Sequence, residues 1–192
     1  MRYEPIKYGV IAGACLSLGA AAARAAEPLG APLPLAVLLQ AAQSTVAACE
    51  RDGYRISVTV VDADLTVRLV LRADGAHDDT VKFSFRKAYT AAKTGMSSEE
   101  FGKTVPNSAG LDPKPGLGPP ADPGPVHGDP NLITWPGGVP IVVGGKLVGA
   151  ISAAGAPGGE KDQACVRVGL QRISSAAPAA DPGRPTHSPS HS

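Results

Sequence analysis

Residues 135–155, WPGGVPIVVGGKLVGAISAAG, leave few choices of fold. Ile141, Val142 and Val143 form an apolar, β-branched run, and a second apolar run begins at Lys146. Between them, Gly144-Gly145 suits the two-residue hairpin turn whose central residues need positive φ. The pattern predicts two antiparallel strands. The second is built of very small residues: Gly149, Ala150, Ser152, Ala153 and Ala154. A strand without bulk lets another group come close to its backbone. Helix-on-sheet packing and direct ligand contact both meet that description, and packing is the plainer of the two.

The chain has 192 residues, enough for one domain with a substantial core. Net charge is +1 and aromatic residues make up 4%, which excludes a basic, aromatic-interleaved nucleic-acid surface. Arg2 and Lys7 accompany an uncharged run of small and apolar residues over 8–23, and Ala23-Arg24-Ala25 supplies an A-x-A cleavage pattern. Residues 1–25 are therefore expected to be an export signal, too short for a good membrane span. The mature protein would be periplasmic or secreted. A lipoprotein anchor on Cys15 would need a large aliphatic residue where Ala12-Gly13-Ala14 stands. After cleavage Cys49 and Cys165 remain, either as the disulfide an oxidising compartment permits or as two buried thiols.

Residues 26–34 are Pro-rich and expected to be extended. Leu35, Leu38, Leu39, Ala42, Val46 and Cys49 keep helical spacing over 35–51, and Gly53 is a natural stop. Strands are predicted over 56–62 and 67–72. In the first, Ile56, Val58 and Val60 oppose Ser57, Thr59 and Val61. The link 63–66 carries no glycine. A second helix is predicted over 79–94, with Val81, Ser84, Phe85, Ala88 and Ala92 on one face and Lys82, Arg86, Lys87 and Lys93 elsewhere. Ser97-x-x-Glu100 is a capping box opening a short third helix.

Residues 106–130 are rich in proline and glycine and lack periodicity, which reads as an exposed, irregular loop. A loop that long is functional or disordered. Leu132-Ile133-Thr134 is expected as a short strand, and a last helix over 160–174. Residues 175–192 read as a disordered tail. Its His187 and His191 are spaced for a helical metal pair, but Pro185 and Pro189 oppose a helix. The order α-β-β-α-α-β-β-β-α defines an α+β fold: a single antiparallel sheet of about five strands with helices packed on it, over 35–174.

Several pieces, in this order, resemble the GlcG/HbpS family of haem-binding proteins. They are Val60-Val61-Asp62, Arg72-Ala73-Asp74-Gly75, Arg86-Lys87-Ala88-Tyr89-Thr90-Ala91-Ala92, Pro136-Gly137-Gly138-Val139-Pro140, Val148-Gly149-Ala150-Ile151, and Asp162 at the last helix. The resemblance implies an α/β sandwich on an antiparallel sheet, homo-oligomers, and a tetrapyrrole ligand: haem, or a corrinoid as the alternative. It also implies haem degradation or redox sensing in some members. Asp64-Leu65 stands where the family usually has a glycine turn, and Ala154 where it has a hydroxyl. The first helix has no histidine, so the ligation that some relatives use there does not carry over.

Haem needs an apolar slot, cations for its propionates and an axial donor. Thr90 matches the family threonine linked to haem binding and would offer a hydrogen bond. Tyr89 could be an axial phenolate or a stacking face, Arg86 and Lys87 partners of propionates, and Met96 a soft ligand. Against this, Tyr89 and Phe85 could be core, and Arg86 and Lys87 a solvated face or ion pairs with Asp62 or Asp162. His77 and His127 lie in loops as lesser iron ligands, and Glu99-Glu100 as weak surface donors. No catalytic set emerges. Three functions follow: an exported haem-binding protein for sequestration, uptake or sensing; an enzyme of the same fold, degrading haem or acting on another small organic molecule; or a structural oligomer without ligand.

Overall fold

The computed structural model describes residues 33–106 and 122–176. The expected export signal over 1–25, most of the expected extended segment over 26–34, residues 107–121 of the expected loop over 106–130 and most of the expected tail lie outside them. Helix α1 (Leu35–Arg51) leads to strands β1 (Ser57–Asp62) and β2 (Val67–Arg72), then helices α2 (Thr80–Thr94) and α3 (Ser98–Thr104). Strands β3 (Gly138–Val143) and β4 (Lys146–Ala154) follow, then helix α4 (Gly159–Ala176). Among the described residues the sheet has four strands in the order β2-β1-β4-β3, every pair antiparallel. Residues 175 and 176, expected in the tail, belong to α4.

The fifth expected strand is absent. Leu132, Ile133 and Thr134 run as irregular chain. Two of their backbone groups meet α2 side chains rather than a neighbouring strand: Ile133 N donates to Thr90 Oγ1 (2.9 Å), and Arg86 donates to the Leu132 carbonyl (2.6 Å). A buried backbone must find partners, and here a helix supplies them.

The sheet separates two packing layers. On one face Ile56, Val58, Val60, Ile141, Ile151 and Ala153 meet α1 and α4. These helices cross so closely that a Cβ on Gly169 would lie 2.0 Å from Thr45 Oγ1. Cys49 and Cys165 join them as a disulfide, which settles the choice between bridge and free thiols. On the other face α2 lies over β1 and β4. Val61 and Ala150 pack against Ala88, Ala91 and Ala92. Beside them runs a hydroxyl seam: Ser57 to Thr80 at 2.7 Å, Thr59 to Ser84 at 2.8 Å, and Ser152 donating to the Ser84 carbonyl. The small residues of β4 thus serve helix packing.

Both hairpins turn as their residues require. Gly144 and Gly145 take φ of 57° and 78°. In the glycine-free β1–β2 link, Leu65 takes φ 65° while Asp62 Oδ1 accepts from the amides of Asp64 (3.0 Å) and Thr66 (2.9 Å). The aspartate holds a turn that glycine would otherwise ease. The capping box at α3 is formed on both sides, Glu100 N to Ser97 Oγ at 3.1 Å and Ser97 N to Glu100 Oε2 at 2.9 Å. No helix among the described residues is long and apolar enough to cross a membrane.

Candidate functional site

Helix α2 carries most of the expected site residues, and the fold distributes them to different surroundings. Lys87 points to the end of the sheet. Its ammonium donates to Asp162 Oδ2 at 2.7 Å and to the Ala153 carbonyl at 3.1 Å, with 4% and 3% of the Lys87 and Asp162 side chains exposed. Asp162 Oδ1 accepts from Ala156 N at 2.9 Å. Burial pushes the Asp162 carboxyl above its ordinary range, against the lowering effect of Lys87 and of the backbone amides of Ala156 and Gly155. Of the ion pairs the sequence left open, the one with Asp162 forms. Gly138 is glycine because the Lys87 carbonyl would lie 2.1 Å from its Cβ.

Arg86 turns the other way and is buried too, so the expectation of a solvated basic face fails for both residues. Its guanidinium donates to Asp122 Oδ1, Gly124 O and Leu132 O, each at 2.6 Å. Its Nε has no partner among the described residues. Thr90 is fully buried, its hydroxyl oxygen accepting from Ile133 N. Tyr89 is half-buried. Its hydroxyl donates to Asp129 Oδ2 (3.1 Å), its ring lies 5.8 Å from that of Phe85, and the Lys93 ammonium sits 5.3 Å above it. Met96 stands exposed beyond Gly95, which ends α2 in a left-handed conformation. The structure therefore groups Arg86, Tyr89 and Thr90, sends Lys87 to Asp162, and sets Met96 on the surface.

What covers the first three is the segment 122–135, which the sequence left as an exposed loop up to residue 130. Its described part is anchored. Asp122 pairs with Lys82 and Arg86, and Asp129 with Lys93 at 2.6 Å. Val126 and Leu132 pack against Phe101, with Tyr89 alongside. The Lys82 ammonium and Gly124 N hold the Asp122 carboxyl down at about 2, and Lys93 holds Asp129 below its ordinary value. Lys82, Asp122 and Asp129 were not singled out from sequence. The available signal was three aspartates, Asp112, Asp122 and Asp129, in a Pro/Gly-rich stretch beside a basic helix.

The remaining donors are engaged or alone. His77 faces Asp79 at 2.7 Å, and His127, at φ 51°, presents its ring edgewise to Phe101. Glu99 accepts from Lys103 and Gln163, which keep it ionised, and Glu100 closes the capping box. Among the described residues no cluster of three or more histidines, cysteines or acids could hold a metal ion. An open groove of about 460 Å³ lies along α1 and α4, lined by Gln40, Gln43, Ser44, Ala47 and Arg172. It is polar and on the far side of the sheet, unlike the apolar slot a tetrapyrrole requires.

An antiparallel sheet between two helical layers, with the RKAYTAA helix under an ordered strap, defines a small α+β domain of the HbpS type. The chain belongs to the family described as haem degrading protein HbpS-like, which matches residues 33–171. It is similar to HbpS of known crystal structure at 30% identity and a TM-score of 0.61, over 73% of this chain and 89% of that one. A double mutant of HbpS from Streptomyces reticuli is 28% identical over 87% of this chain and 97% of its own, again with a TM-score of 0.61. The PduOC:Heme complex shares the fold at 22% identity and a TM-score of 0.62, over 74% of this chain and 96% of that one. An uncharacterised 15.0 kDa protein of Citrobacter freundii, from the dhaT-dhaS intergenic region, is 28% identical over 123 residues, 62% of this chain and 80% of its own.

Proposed function

We propose that this protein binds haem or a closely related tetrapyrrole outside the cytoplasm, for sequestration, uptake or sensing. The observation that carries the reading is the RKAYTAA motif on α2 of an HbpS-like fold, with aromatic residues and cations on the same helix. The donor set on the accessible side fits such a ligand. Phe85 and Tyr89 offer apolar faces, Tyr89 a phenolic oxygen and Met96 a thioether, and Lys82 and Lys93 positive charge for propionates. The bound haem would supply an iron centre open to redox change and axial ligation. Thr90 and Lys87 serve the fold in this conformation, so their contribution is to hold α2 in place. The Cys49–Cys165 bridge supports an oxidising compartment, as the N-terminal signal suggests.

Haemin titration tests the reading. A saturable Soret change at low micromolar protein is expected, and Tyr89→Ala should shift or weaken it while leaving the thermal transition in place. Absence of any saturable change would end the proposal. The family's description favours a second reading, turnover of the bound haem. With haemin bound and both dioxygen and an external reductant present, release of biliverdin and free iron would establish it, and a stable spectrum would leave binding alone.

A further inference from the structure

The α2 surface under residues 122–130 contains the same clamp twice. Lys82 and Arg86, one turn apart, both donate to the Asp122 carboxylate, one to each oxygen. Tyr89 and Lys93, again one turn apart, both donate to Asp129 Oδ2, at 3.1 and 2.6 Å. The clamps are offset by seven residues, about 10 Å along a helix rising 1.5 Å per residue. Each takes one carboxylate, and together they present three cations and a phenol. A row of this kind matches a ligand with two carboxylates on separate arms.

Each clamp has an open side and a covered one. The Lys82 and Asp122 side chains are 55% and 40% exposed and Lys93 43%, whereas Arg86 and Asp129 are 3% and 18% exposed. The contacts of Lys82 and Lys93, on the open side, contribute little individually. Residues 122–130 make no sheet pairing with the named strands. Their one bridge, Val126 to Asp129, is internal to the segment. One apolar side chain of the segment, Val126, is buried beneath it. By contrast Ile133 and Trp135, further along, belong to a packed cluster with Phe83 and Ala154. The firm part of the strap thus begins after the clamps. The fit inside is also incomplete, since Arg86 meets its carboxylate end-on through one nitrogen and leaves Nε unpartnered.

We propose that Asp122 and Asp129 are an internal stand-in for a dicarboxylate ligand, and that the propionates of a bound tetrapyrrole displace residues 122–130 from the Lys82/Arg86 and Tyr89/Lys93 clamps. The inference rests on the tetrapyrrole reading above and adds to it which groups meet the carboxylates and what keeps them covered. The segment acts as a competitor tethered in the same chain. Ligand affinity is lowered by the fraction of molecules in which the clamps are filled, and removing the internal carboxylates lifts that penalty.

The experiment compares the full oxidised protein with the Asp122→Asn/Asp129→Asn double variant, each titrated with haemin and with haemin dimethyl ester. Asparagine keeps the size and one acceptor oxygen at both positions while removing the charge and the second acceptor, and circular dichroism confirms the fold. Expected is a gain of about tenfold or more in haemin affinity for the variant, with no comparable gain for the ester, which has no free carboxylates. In the unaltered protein, haemin should raise amide hydrogen exchange at Gly124, Val126, Asp129 and Asn131, a readout independent of the substitutions. Unchanged or weaker haemin affinity in the variant, an equal gain for the ester, or added protection of 122–131 on binding would each overturn it while leaving the tetrapyrrole reading intact. No binding of haemin by either protein would overturn both.

Discussion

Lys87 and Asp162 are a charge pair taken almost wholly out of water, and their partners are few enough to name. Breaking such a pair from one side strands the other charge, at a cost of about 3–5 kcal/mol. Lys87→Met should lower stability by that order in chemical denaturation at neutral pH. Because the folded Asp162 has a raised pKa, it binds protons more readily folded than unfolded. Its favourable share is complete below the ordinary carboxylate pKa and is lost as pH rises through the folded value. Loss of Lys87 removes a lowering influence and raises that value further, so the deficit of Lys87→Met should shrink toward pH 4. The double variant Lys87→Met/Asp162→Leu should recover much of the stability. A deficit that is the same at pH 4 and pH 7 would show that the pair's charge is not what matters.

At the scale of elements, the same two lysine and arginine positions explain where sequence reasoning stopped. The bounds of α1 and β2 follow from period, glycine and turn chemistry, which are local, whereas β3 begins at Gly138, three residues before the apolar run at Ile141. The hairpin at Gly144-Gly145 and the capping box at Ser97 were equally legible. The burial of Arg86 and Lys87 was not, because it depends on Asp122 and Asp162, 36 and 75 residues away in sequence. The apparent strand at 132–134 failed for a related reason. An apolar triplet satisfies a strand pattern, and only the position of α2 decides that Ile133 N and the Leu132 carbonyl meet a helix. The strap itself titrates. Asp122, held at about 2, contributes fully above its ordinary 3.8 and loses that contribution as pH falls through about 2, and Asp129 shifts in the same direction. Between pH 4 and pH 2 the 122–130 segment should loosen before the sheet does. Limited pepsin digestion should cut there first, and cutting at a rate independent of pH over that interval would contradict the assignment.

For the whole molecule, the Cys49–Cys165 bridge ties the first helix to the last across 116 residues. Closing a loop of that length restricts the unfolded chain by about 5 kcal/mol on the chain-entropy estimate. Reduction, or Cys49→Ser/Cys165→Ser, should lower the unfolding free energy by that order, read as a shift in denaturant midpoint with and without reductant. An unchanged midpoint would mean that α1 and α4 hold each other through packing alone. The bridge was one of two alternatives in the sequence, since spacing does not tell a disulfide from two neighbouring thiols.

The strand order carries a consequence for how the chain comes into being. β1 lies between β2 and β4, pairing Ser57 with Ala154, and its sheet neighbour on that side arrives about half the chain later. An emerging chain can close the β1–β2 hairpin early, but the centre of the sheet keeps an open edge until β4 has been made. The last helix must also arrive before the bridge to α1 can form. The N-terminal half therefore waits, and assembly is a late event that the final third of the polypeptide sets in motion.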